Sequence, residues 1–420
     1  MQPYFQTAAV SSAAVEFHCR RTAAVAKLIA HQLFLPSGEQ NLLTTACLLH
    51  HWCIGLLAPK SMERLLADVF GENAPALAAA DGVPLRVREV LNAYDVSGTG
   101  TALESKLAGI LRVGDAFDQD MEAQPIDAQE VDEIIERLRG GVEAGLWPGE
   151  PINALEQSTR PASFGQAESW RLPVSPLAAL HTLRLMGDPR ASIADVVEAA
   201  SLDPATAGLV IELANSALFG SRTRVSTLSQ AIVRLGFATS QKVITSAAMQ
   251  RVFSSPRLRE VWQHSLQVAD LAEQLACRTG TIDAAEAYLA GLLHDVGQVA
   301  LLSMQFHDSA RLQGLVSDGC PTVYAEDLLL RTDHAALGAQ IAEGWRLPET
   351  MASAIRQHHR PEKAESSLAH LLYIAEDLSG SEEDLPSLIR LEAPVKRIGL
   401  ALDDVSDYTV SALGGWLAAA

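Results

Sequence analysis

An all-α protein of two helical domains is predicted by three features of this sequence. Apolar residues recur at helical spacing along nearly the whole chain, and alternating β-branched runs are scarce. One short string, AxLLH, also occurs twice, at Ala46 to His50 and at Ala290 to His294. A chain of 420 residues exceeds the size, about 250 to 300 residues, at which single cores stop growing, so two domains are expected.

The first domain is read as residues 1–146. Val25, Leu28, Ile29 and Leu33 form the apolar stripe of a helix that carries His18 near its start. The AxLLH string follows and ends in the pair His50-His51. Further on come a glycine-rich segment, Tyr94 to Gly100, and a helical segment, Leu111 to Asp118, that carries Asp115. The acidic stretch from Asp115 to Glu136 keeps Ile134, Ile135 and Leu138 at helical spacing, which marks it as the solvated face of a helix.

Residues 147–174 are read as a linker. Pro148, Pro151, Pro161 and Pro173 fall there among Gly, Ser and acidic residues, a composition that predicts irregular backbone.

Residues 175–420 form the second domain. Ser192 is placed to cap the helix of Ile193 and Val196, and Asp203-Pro204 reads as an N-cap with proline at the first helical position. Asn215, an amide in an otherwise apolar helix, needs hydrogen-bond partners and is read as a tether between elements. The order of chemistry-bearing residues then repeats that of the first domain: His264 in a helix, the pair His294-Asp295 after AxLLH, and an acidic string, Ile374 to Asp377.

A formal net charge of -19 argues against a nucleic-acid or anionic-membrane partner that needs a broad basic surface. The longest apolar stretches are interrupted by pairs such as His50-His51 and His294-Asp295, so no membrane span is expected. Cys19, Cys47, Cys53, Cys277 and Cys320 are odd in number and lack CxxC spacing, which fits reduced thiols in a cytoplasmic protein.

Pro176-Leu177, Gly187-Asp188-Pro189, Asp203-Pro204, LANSALFG at Leu213 to Gly220 and QAIxxLG at Gln230 to Gly236 follow one another in this order. On these strings the chain from Ser175 to about Gly380 resembles the HDOD family of bacterial signalling proteins, relatives of the HD metal-dependent phosphohydrolases. The resemblance implies that helices bring His264, His294, Asp295 and Asp377 together as metal ligands, with His334, His358 and His359 at positions where two-metal members add more. Such imidazoles and carboxylates suit Mn, Fe or Mg. The HDxGK pattern of the superfamily reads here His294-Asp295-Val296-Gly297-Gln298, with a neutral amide in place of the lysine.

Residues Val15 to Met121 resemble a degenerate HD domain of the HD-GYP branch. His51 stands where that pattern needs an aspartate, and Thr99-Gly100-Thr101 lacks its Tyr-Pro. His18, His50, His51 and Asp115 could hold one softer ion such as zinc, but a metal-free pseudo-enzyme kept for packing and partner binding is the preferred reading.

The expected function is that of a non-catalytic regulator or adaptor in bacterial signal transduction, acting on a protein partner. The alternatives are a metal-dependent phosphohydrolase for nucleotides or cyclic dinucleotides, and a nucleotide sensor that has kept the pocket without turnover.

Overall fold

The computed structural model describes residues 12–51, 84–95, 100–122, 130–160, 192–201, 204–219, 223–250, 253, 258–303, 309–317, 319–380 and 388–405. These residues are helical or irregular, with no strand among them. Pro176-Leu177, Gly187-Asp188-Pro189, Asp203, Gly220, Cys53 and residues 96–99 of the glycine-rich segment lie outside them.

The chain divides into two compact units. The first contains α1 (Ser12–Gln32), α2 (Ser37–Leu49), α3 (Leu85–Asp95), α4 (Ala102–Glu122), α5 (Glu130–Glu143) and α6 (Gly149–Thr159). Ile29, Leu43, Leu107, Ile110, Phe117, Ile134 and Leu155 are fully buried. Each such side chain contributes about 1.5–3 kcal/mol relative to an exposed one. Helix α5 bears out the amphipathic reading: Val131, Ile134, Ile135 and Leu138 point inward while Glu133 and Glu136 are exposed.

Helix α6 corrects the expectation of irregular backbone through the proline-rich stretch. Pro148 is its N-cap and Pro151 sits in its first turn. The first four N–H groups of a helix have no partner inside it, so proline costs no hydrogen bond there.

The second unit begins with α7 (Ile193–Ser201), α8 (Pro204–Asn215), α9 (Leu228–Leu235), α10 (Phe237–Gln250), α11 (Arg259–Thr279), α12 (Ala284–Leu293) and α13 (Val296–Ser303). Next in the chain come α14 (Ser309–Ser317) and α15 (Thr322–Leu330), which belong to the first unit, where Arg331 pairs with Asp132 at 2.7 Å. The second unit resumes with α16 (His334–Gly344), α17 (Glu349–Gln357), α18 (Ser367–Ser379) and α19 (Leu388–Arg397).

Local chemistry fixes these helix ends. The Ser192 hydroxyl accepts from the Asp195 N–H at 3.3 Å, and the Asp195 carboxylate accepts from the Ser192 N–H at 2.8 Å, a reciprocal cap for α7. Asp283 caps α12 by accepting from the Glu286 N–H, and Gly280, at φ 64°, closes α11 in the left-handed conformation. Asn215 is the tether expected of it: its amide donates to the Ile211 and Val225 carbonyls and its oxygen accepts from the Val225 N–H, joining α8 to the segment ahead of α9.

Two close backbone approaches set the core of this unit. A Cβ on Gly291 would meet the Ala269 Cα at 2.7 Å, so α12 lies directly on α11. A Cβ on Gly297 would meet the His334 carbonyl oxygen at 1.9 Å, so α13 and α16 touch main chain to main chain. Both contacts bring histidine-bearing segments together.

Candidate metal centre

Five helices of the second unit deliver seven potential ligands to one place. Helix α11 carries His264, and His294-Asp295 forms the corner between α12 and α13. His334 opens α16, His358-His359 follows α17, and Glu376 lies on α18. Two sets of donors result, Asp295 with His334, His358 and His359, and His264 with His294 and Glu376. Within each set the ligand atoms lie within 4.8 Å of one another.

Helix ends aim the imidazoles. His294 and His358 each occupy a C-cap, where the last carbonyls of a helix lack partners. The Nδ1–H of His294 donates to the Gly291 carbonyl at 2.7 Å, and that of His358 donates to the Ile355 carbonyl at 2.6 Å. A carbonyl can only accept, so the proton of each neutral ring is on Nδ1 and each Nε2 presents a lone pair to the interior.

Those lone pairs face other lone pairs. His294 Nε2 is 3.4 Å from Asp295 Oδ2, and His358 Nε2 is 3.9 Å from Asp295 Oδ1 and 3.6 Å from Glu376 Oε2. The Nε2 atoms of His294 and His358, Oδ1 of Asp295 and Oε2 of Glu376 are all buried without a hydrogen-bond partner. Acceptors converging on acceptors are costly unless a cation lies between them. The donor set therefore fits a divalent metal.

Asp295 is divided between the two sets. Its Oδ1 faces His334 Nε2 at 3.3 Å, while its Oδ2 faces His294 and, at 3.9 Å, His264 Nε2. The Gln298 side chain holds the carboxylate by donating to Oδ2 at 2.9 Å. Ser379 Oγ lies 3.3 Å from His264 Nδ1, which leaves the Nε2 of that ring for the centre.

Electrostatics agree with this arrangement. Burial favours the neutral form of Asp295, but His294, His334, His264 and His359 outweigh it and hold the carboxyl at about 2. Burial, reinforced by the charge of Asp295, pushes Glu376 well above the usual carboxylate range. Burial and then the neighbouring His294 lower His264 to about 4. His358 and His359 are held well below the usual imidazole value by burial and by adjacent histidines.

Six of the seven expected ligands, His264, His294, Asp295, His334, His358 and His359, are brought together. Asp377 is not in either set, and the adjacent Glu376 joins one of them. Neighbouring helical residues point about 100° apart, so only one of two adjacent acids can face the centre.

Residues 172–361 match the family model of the HDOD domain. An uncharacterized protein of Treponema pallidum is 29% identical over 192 residues, which cover 45% of this chain and 37% of the relative. A ribonuclease Y of Thermus thermophilus is 31% identical over 159 residues, 36% of this chain and 23% of the enzyme. The chain thus spans well under two thirds of either relative. A crystal structure of an HDOD domain protein from Geobacter sulfurreducens is 25% identical, covers 59% of this chain and 88% of its own, and superposes with a TM-score of 0.47.

Proposed function

We propose that this chain, which carries an HDOD domain over residues 172–361, is a regulatory protein of bacterial signal transduction that acts through a protein partner and holds divalent metal in its buried histidine centre. The observation that carries the metal is the pair of C-capping histidines, His294 and His358, whose committed Nδ1 protons leave Nε2 lone pairs opposed to carboxylate oxygens. A ligand set rich in imidazole with two carboxylates favours Mn or Fe over Mg. No helix among the described residues is long and apolar enough to cross a membrane, in keeping with a cytoplasmic site of action.

Efficient turnover is not part of this reading. Gln298 is neutral and its amide is engaged by Asp295, so it adds no positive charge for a phosphoryl group. The centre then serves to hold the helices that carry its ligands in one arrangement, with reception of a nucleotide without turnover as the alternative role of such a centre.

The division of Asp295 between two histidine sets favours a second reading, a metal-dependent phosphohydrolase for nucleotides or cyclic dinucleotides. Two ions sharing one carboxylate would supply an activated water and neutralise a phosphate ester. In such an enzyme Asp295 and Glu376 would hold the ions, and Asp295 would orient both halves of the site.

Turnover by wild type and by Asp295→Ala separates the readings, measured with Mn and Fe on nucleotides, cyclic dinucleotides and RNA, the last because some partial relatives are named ribonuclease Y. Equal, negligible rates support the regulator. Robust hydrolysis that vanishes in the variant establishes the phosphohydrolase.

A further inference from the structure

The first unit holds a second, chemically distinct cluster, in a part of the chain that the HDOD match does not reach. His18 of α1, His50 and His51 at the end of α2, and Asp115 of α4 place their ligand atoms within 4.8 Å of one another, and all four residues are buried.

Three of the separations are 3.1 Å from His18 Nε2 to Asp115 Oδ1, 3.2 Å from His18 Nε2 to His50 Nε2, and 3.7 Å from His50 Nε2 to Asp115 Oδ1. A tetrahedral ion with bonds near 2.0 Å requires ligand atoms about 3.3 Å apart.

The groups behind the ligands orient them as metal ligands are oriented. His18 Nδ1 bonds Asp118 Oδ2 at 2.7 Å, and Asp118 is in turn gripped by Arg21 through both of its oxygens. His50 Nδ1 is directed at the Cys47 carbonyl. Tyr94 donates to Asp115 Oδ2 at 2.6 Å, and Gln119 donates to Asp115 Oδ1 at 2.8 Å. Both histidines thus have their Nδ1 protons committed, so as neutral rings their Nε2 atoms would meet lone pair to lone pair at 3.2 Å. Only a cation or an added proton makes that approach favourable.

We propose that His18, His50, His51 and Asp115 form a mononuclear site for a borderline divalent ion of the zinc type, which ties α1, α2 and α4 together and has no open position for substrate. Three imidazoles with one carboxylate select such an ion over Mg or Ca, and four protein ligands in a buried set describe a structural rather than a catalytic centre. The second unit's centre, with its shared carboxylate, is built for different chemistry.

The test uses the full chain, stripped with chelator and reloaded with zinc or cobalt in millimolar Mg. Asp295→Ala disables the second unit's centre, so the metal left in that protein reports the first. The expected result is one tightly held zinc per chain, with cobalt giving the intense visible bands of a four-coordinate ion. Adding Asp115→Asn or, separately, His50→Ala should abolish both signals, and circular dichroism identifies any variant that has lost its helices. The near-isosteric Asp115→Asn decides if His50→Ala fails to fold. An Asp295→Ala chain that takes up no zinc, or zinc that survives both further substitutions, overturns the proposal and leaves a proton-bridged histidine cluster. Failure of the second unit's centre would show instead as wild-type metal content insensitive to Asp295.

Discussion

Asp295 Oδ1 and His334 Nε2 face each other at 3.3 Å while the second oxygen of the same carboxylate is turned to His294 at 3.4 Å, so one side chain belongs to both halves of the centre. Loss of this carboxylate should empty both halves. Asp295→Ala is expected to remove all metal bound by the second unit, whereas His264→Ala, which touches one set, should remove only part. Metal per chain measured by plasma mass spectrometry checks this, and equal losses in the two variants would contradict the sharing.

Gln298 acts through Asp295 and touches no reacting group. Its amide fixes the Oδ2 atom at 2.9 Å, and groups that orient metal ligands typically influence affinity by about 10–100-fold. Gln298→Leu should keep the helical content and weaken manganese binding by about that factor. Unchanged affinity by calorimetric titration would show that packing alone positions the carboxylate.

Backbone contact at Gly297 makes the geometry vulnerable from behind. A methyl group there would lie 1.9 Å from the His334 carbonyl oxygen and 2.7 Å from the Gly338 nitrogen. Neither atom belongs to a flexible side chain, so α16 must move. Gly297→Ala should destabilise the second unit by about 3 kcal/mol, the upper end of ordinary overpacking costs. Urea denaturation reads this, and a change within error of zero would mean that α13 and α16 separate freely.

Acid should loosen the metal-free protein. His264 is held at about 4, and His358 and His359 lie well below the ordinary imidazole value, mainly through burial. The unfolded chain titrates these rings near 6.5, so as pH falls below that it gains protons the folded state refuses, and stability is lost. Glu376, raised in pKa, works in the opposite sense, while His51, lowered to about 2 mainly by burial, adds to the loss in acid. His18 and His50, raised to about 9 because Asp115, Asp118 and Cys19 outweigh burial, carry in the metal-free protein the protons that a cation would displace, and they add a smaller contribution in the opposite sense while their unfolded rings finish protonating below 6.5. The melting temperature of chelated protein should therefore be lower at pH 5 than at pH 6.5. An equal or higher value at pH 5 would contradict the assignment of neutral histidines.

The sequence makes some of this legible and hides the rest for physical reasons. Helical periodicity and the AxLLH repeat expose the fold class and the two histidine corners, because a buried face and a capped end leave local patterns in the residues. The helix α6 was hidden by Pro148 and Pro151, whose meaning depends on whether they start a helix or interrupt one. Local pattern also says nothing of α14 and α15 joining the first unit, since Arg331 and Asp132 are paired only by the tertiary fold. Nor does it disclose the opposed lone pairs at His294 and His358, which depend on carbonyls fixed by helix geometry.

The choice between Glu376 and Asp377 turns on helical phase. Residues four apart share a face, and Glu376 follows the buried Leu372, whereas Asp377 follows the half-buried Tyr373. That signal was present in the sequence, although the family resemblance pointed to the aspartate. In the structure Glu376 reaches His358 Nε2 and His359 Nε2 at 3.6 Å each, while Asp377 stands outside both donor sets. Glu376→Gln removes the charge and keeps the shape, so it should lower manganese occupancy of the second unit while the circular dichroism spectrum stays unchanged. Asp377→Asn should leave occupancy at the wild-type level. The reverse outcome, with metal lost from Asp377→Asn and kept in Glu376→Gln, would return the terminal ligand to Asp377 and require α18 to turn by about 100° about its axis.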